Sequence, residues 1–107
     1  MKVKIEQTER GFNFAEFTDR YGCACSIQKS SLATEDAIWF GIDNADPKIM
    51  VSDAKRMGIE TKQENGWCAY PIPKEVLLST RMHLTREMVE SLLPLLKTFV
   101  ETGNLHP

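Results

Sequence analysis

The sequence predicts an α+β domain, with a mainly antiparallel sheet of four to six strands and a long C-terminal helix packed across one face. Three observations carry that prediction. Within 76–84, Val76, Leu78, Thr80, Met82 and Leu84 fall on one parity and Leu77, Ser79, Arg81 and His83 on the other. That is the period of a half-buried strand. From Thr85 the spacing turns helical through Met88, Val89, Leu92, Leu93, Leu95, Leu96, Phe99 and Val100. Upstream, three short apolar runs separated by turn residues read as a meander.

Taken in order, Val3, Ile5 and Gln7 alternate with Lys2, Lys4 and Glu6, a first strand. Glu9-Arg10-Gly11 makes a turn, and Phe12 and Phe14 open a second strand running to Thr18. Phe17 has the opposite parity, so either a bulge shifts the phase or both faces are covered. After the turn Asp19-Arg20-Tyr21-Gly22, a third strand puts Cys23, Cys25 and Ile27 inward and Ala24, Ser26 and Gln28 outward.

The polar tract 30–36 connects to Ala37-Ile38-Trp39-Phe40-Gly41-Ile42, an unbroken apolar run suited to a central strand with Trp39 in the core. Ser52 is expected to cap a short helix over 53–57, with Gly58 as its stop. The tract 60–66 reads as a loop and 67–70 as a short strand. Pro71 and Pro73 then exclude a helix. Thr85 caps the final helix and Gly103 ends it, while Pro94 frees the carbonyl of Glu90 and predicts a kink there. Val76, Leu78, Met82 and Leu84 are expected to face Leu92, Leu96 and Phe99.

A chain of 107 residues is most simply one domain, 1–107. At this size a single core buries about 65% of the unfolded chain's surface. Thirteen basic and fifteen acidic residues give a net charge of −2, spread along the chain. With no basic stripe, direct nucleic-acid binding is not expected. No apolar leader or membrane span is evident, which points to the cytoplasm and to free thiols at Cys23, Cys25 and Cys68.

Those cysteines with His83 are the one set that zinc could use, since it needs four tetrahedral ligands. The alternation puts Cys23 and Cys25 on the apolar face and His83 on the polar one, so no metal and no cofactor is expected. Asp43-Asn44-Ala45-Asp46 lacks the Gly and distal Glu of a calcium loop. Nucleotide-loop, hydrolase-elbow and metalloprotease motifs are missing too, which argues against an enzyme without excluding one.

Two residue sets could bind. Arg81, His83, Thr85 and Arg86 sit where a strand meets a helix start, and an anion could be held by the free amides with an arginine forking onto it. The plainer reading is a capped helix, Arg86 paired to Glu90 and His83 solvated. Arg20, Tyr21, Trp67 and Tyr70 lie in turns or beside prolines, where aromatic and arginine side chains anchor partners. Trp67 closing one end of a core is the alternative.

The segments Ser30-Ser31-Leu32-Ala33-Thr34-Glu35-Asp36-Ala37-Ile38-Trp39 and Arg81-Met82-His83-Leu84-Thr85-Arg86, with Leu92-Leu93-Pro94 and Phe99-Val100-Glu101-Thr102-Gly103, resemble a group of small phage and prophage proteins of unassigned function. The resemblance runs over 20–103 and is weakest over 59–67. It carries no catalytic residues. It implies a protein of the host bacterial cytoplasm that binds and antagonises a host defence or regulatory protein. A sequestering module for an anionic, nucleotide-like small molecule is the alternative, followed by a small hydrolase or virion-assembly factor. The broad apolar arc of the last helix adds the expectation of a homodimer.

Overall fold

A computed structural model describes residues 1–106. Among them the chain forms β1 (Glu6–Gln7), β2 (Asn13–Thr18), β3 (Ala24–Lys29), β4 (Ala37–Ile42), β5 (Lys48–Met50), α1 (Val51–Arg56), β6 (Trp67–Ala69), β7 (Arg81–Thr85) and α2 (Arg86–Thr102). These fall into two compact units. One comprises Met1–Asp43 and the chain from Thr80 onward, the other Asn44–Ser79.

The first unit is an antiparallel five-stranded sheet in the order β1-β2-β3-β4-β7, with α2 leaving directly from β7. The fold is therefore α+β. The meander forms because its turns are locally encoded. Thr8 and Phe12 close the first through Thr8 N–H to Phe12 O at 2.8 Å, with Gly11 at φ 85°. In the second, the Asp19 carboxylate accepts from the amides of Tyr21 and Cys23, both at 2.9 Å. The β2–β3 register runs unbroken from Phe14↔Gln28 to Thr18↔Ala24. No bulge shifts the phase at Phe17, so side chains occupy both faces.

Directly paired residues share a face. One face carries Ala15, Phe17, Cys25, Ile27, Ile38, Phe40, Met82 and Leu84, with Ala15 and Cys25 buried and Phe17 meeting Phe40 edge-on at 6.0 Å. The other carries Phe14, Ser26, Gln28, Trp39, Gly41, Arg81 and His83. Helix α2 packs beside the apolar face through its first turns. Val89 and Leu93 border a groove of about 570 Å³ with Ala37, Ile38 and Leu84. Thr85 is the N-cap, its hydroxyl accepting from Met88 N–H at 3.3 Å, and Gly103 ends the helix in the left-handed conformation.

Several expectations need correction. The last strand begins at Arg81 rather than Val76, because β4 offers pairing partners only from Gly41 back to Ala37. Alternation alone makes no strand where the backbone has nothing to bond. Val76 and Leu78 lie outside β7, in the second unit, and are exposed. Leu92, Leu96 and Phe99 are not covered either, and no residue of α2 is buried. The first strand shrinks to Glu6–Gln7. Ser26 lies on the face opposite Cys25 and Ile27, as expected, but is buried there, and Trp39 is half-buried on the same polar face rather than in the core.

The second unit pairs β5 with β6 and packs α1 on them around Val51, Ala54 and Cys68. Its helix starts at Val51 after Met50, with no side-chain cap, so Ser52 lies inside the helix instead of capping it. Strand β5, unforeseen from the sequence, gives the expected β6 its partner.

Candidate functional site

The polar face of the first unit holds a connected cluster, built by register. Trp39 pairs with His83 and Gly41 with Arg81 across β4 and β7. The His83 imidazole lies flat on the Trp39 indole, with ring centroids 3.9 Å apart and planes at 6°. Its Nε2 is 2.9 Å from the Ser30 hydroxyl. Two residues back along β7, the Arg81 guanidinium sits 5.7 Å from the Trp39 ring centroid. One of its nitrogens donates to Gln28 Oε1 at 3.1 Å and to Ser26 Oγ at 3.3 Å. Ser26 in turn donates to the Asp43 carboxylate.

Gly41 makes the arrangement possible. It adopts φ 147°, and a Cβ there would lie 3.0 Å from the Thr80 carbonyl oxygen and 3.2 Å from the Arg81 Cα. Only glycine lets β7 approach so closely at this strained angle. The Thr80 hydroxyl donates to Asp43 O at 3.3 Å and fixes the same corner.

Arg81 is thus a cation oriented by neutral groups. Among the described residues no carboxylate lies within ion-pair distance of it. A guanidinium has five N–H donors, so donors remain to receive an anionic group. Beside Trp39 the same side of the sheet forms a cleft of about 370 Å³ bordered by Arg10, Phe12, Gln28 and Lys29. Arg10 lies 5.4 Å from the Phe12 ring centroid.

The four residues expected at the helix start do not converge. Arg81 and His83 join this cluster, Thr85 is engaged as a cap, and Arg86 reaches Asp36 at 3.7 Å rather than Glu90. Lys29 also pairs with Asp36, at 3.4 Å. His83 remains exposed, as the plainer reading has it, and is in addition stacked on Trp39. Sequence reasoning missed Trp39, Ser26, Gln28 and Ser30. The parity that places Ser26 and Gln28 with Trp39 was a usable signal, obscured by reading the apolar run 37–42 as core.

Of the second set, Arg20 and Tyr21 occupy the Asp19 turn, where Tyr21 is 90% exposed. Trp67 and Tyr70 belong to the second unit. Trp67 is 62% exposed, so it does not close a core.

The three cysteines are free, with Cys25 and Cys68 buried and Cys23 half-buried. Cys25 and His83 lie on opposite faces of the sheet, as alternation predicts. Burial raises the Cys25 thiol above its ordinary pKa, and the charges of Asp19, Cys23 and Asp43 add to it. This favours the unreactive protonated form. Among the described residues no three His, Cys, Asp or Glu side chains cluster as metal ligands would, and no helix is long and apolar enough to cross a membrane.

Compared with protein-family models, curated proteins and solved structures, the chain matches none.

Proposed function

We propose that this is a non-enzymatic accessory binding protein of phage type, which docks onto a bacterial host protein through the polar face of its sheet and antagonises it. One observation carries the docking site. Arg81 is held by Ser26, Gln28 and Trp39 with no anion of its own among the described residues. Arginine and tryptophan dominate the energetics of protein interfaces, because both bury large area with directed contacts. The open face suits a macromolecular surface better than a ligand that must be enclosed. The bacterial host and the antagonism rest on the resemblance of the 30–39 and 81–103 segments to phage proteins.

The test is capture from a bacterial extract on immobilised protein, with Arg81→Gln and Trp39→Ala as comparison baits, each checked by circular dichroism. A host protein retained by the wild-type chain and lost from both folded variants supports the proposal. Equal retention on all three overturns it.

A second reading has its own observation. Arg10, Phe12 and Trp39 border one cleft together with Lys29, which is paired to Asp36, and the Glu9 carboxylate, so Arg10 is the cation and the two rings are the stacking surfaces that this space offers. That is the chemistry for a phosphate-bearing ligand with a stacking base. Calorimetry with a panel of nucleotides and cyclic nucleotides decides it. Binding that weakens on Arg10→Ala and with added salt favours this reading, since exposed charge contacts are screened.

A further inference from the structure

The apolar side of the first unit is unfinished. The chain exposes 9165 Å². A compact monomer of this mass would expose roughly 6,000 Å², and even two separate globules the size of its two units would expose roughly 7,200 Å² together. The excess over the whole chain, about 2,000 Å², lies within the range that each partner contributes to a permanent dimer. No large side chain of the described residues is fully buried.

The exposed apolar area is concentrated. Met88, Leu92, Leu95, Leu96 and Phe99 follow one another at helical spacing along α2, and each is between 40% and 55% exposed. Val89 and Leu93 form the edge of the same arc and face the sheet. On the apolar sheet face itself, Met82 is 55% exposed. Monomeric proteins rarely leave an apolar stripe of this extent open to water. Leucine and phenylalanine in such numbers on one helix face need a cover.

We propose that the cover is a second copy of this chain, related by a two-fold axis, with α2 of each copy lying against α2 and the apolar sheet face of the other. A two-fold interface must be complementary to itself. This surface has both halves of such a match: the projecting helix ridge at Leu92, Leu96 and Phe99, and the groove of about 570 Å³ between Ile38, Leu84, Val89 and Leu93. The polar face with Trp39, His83 and Arg81 is on the opposite side of the sheet, so dimerisation leaves it free on both copies. The inference does not depend on the reading of that face.

Sedimentation equilibrium of the full chain at micromolar concentration tests it, together with thermal unfolding over a range of concentrations. The expected result is a species of twice 12.2 kDa, with an unfolding temperature that rises with concentration. The double variant Leu96→Asp/Phe99→Asp is expected to be monomeric. If it is unfolded, a wild-type unfolding temperature that rises with concentration still supports the proposal, because that rise reports association without the variant. A wild-type monomer overturns the proposal. So does a double variant that remains as dimeric as the wild type.

Discussion

His83 lies face to face with Trp39 at 3.9 Å, and the two are directly paired residues of neighbouring strands. The stack turns an ordinary register position into a rigid platform, since neither ring can rotate without losing the other. Trp39→Ala is expected to move the His83 ring-proton resonances downfield as the indole ring current is lost. The stack itself contributes about 0.5–1.5 kcal/mol beyond the area it buries. Unchanged His83 resonances in the variant would contradict the geometry.

Gly41→Ala is the sharpest probe of how the platform is built. The new Cβ meets the Thr80 carbonyl and the Arg81 backbone, at a φ that residues with a side chain rarely adopt. A loss of about 1–3 kcal/mol is expected in denaturant unfolding, the usual size of such backbone strain. Amide resonances of 80–82 should shift with it. A stability loss near zero would place β7 elsewhere.

Arg81 separates binding from stability. Arg81→Ala removes two hydrogen bonds to neutral acceptors but leaves Ser26 bonded to Asp43. The expected stability loss is about 1.5–3 kcal/mol, the net worth of hydrogen bonds made by a charged group. Partner affinity should fall far more. Arg81→Lys should not rescue it, because an ammonium cannot reproduce the planar fork. Full binding by the lysine variant would reduce Arg81 to a point charge.

The Cys25 thiol is raised chiefly by burial. The folded state therefore holds its proton more tightly than the unfolded chain does. Its contribution to stability is complete below the unfolded thiol's pKa and declines as pH rises from there towards the folded value. Alkylation of the native protein should modify half-buried Cys23 well before Cys25. Cys25→Ala should flatten the alkaline decline. Rapid labelling of Cys25 at neutral pH would contradict its burial.

The elements with local signals were legible in the sequence. Gly11 and Asp19 encode their turns, Thr85 and Gly103 bound α2, and the parity of Arg81 and His83 against Met82 and Leu84 survives in β7. What failed depended on partners distant in sequence. Val76 and Leu78 alternate like a strand but have no strand beside them among the described residues. Trp39 lies in an apolar run, yet the polar residues Ser26, Gln28 and His83 around it come from β3 and β7. Arg86, expected at the helix start, pairs with Asp36, a contact no local spacing shows. Half of the candidate site was therefore visible as Arg81 and His83, and the half that orients them was not.

The most direct measurement is a backbone hydrogen-exchange footprint of the captured host protein on this chain. Added protection is expected on the polar-face strands, at 26–30, 38–40 and 81–84, with little change over 51–56. Protection confined to the second unit, or to the exposed turn at Arg20 and Tyr21, would contradict it.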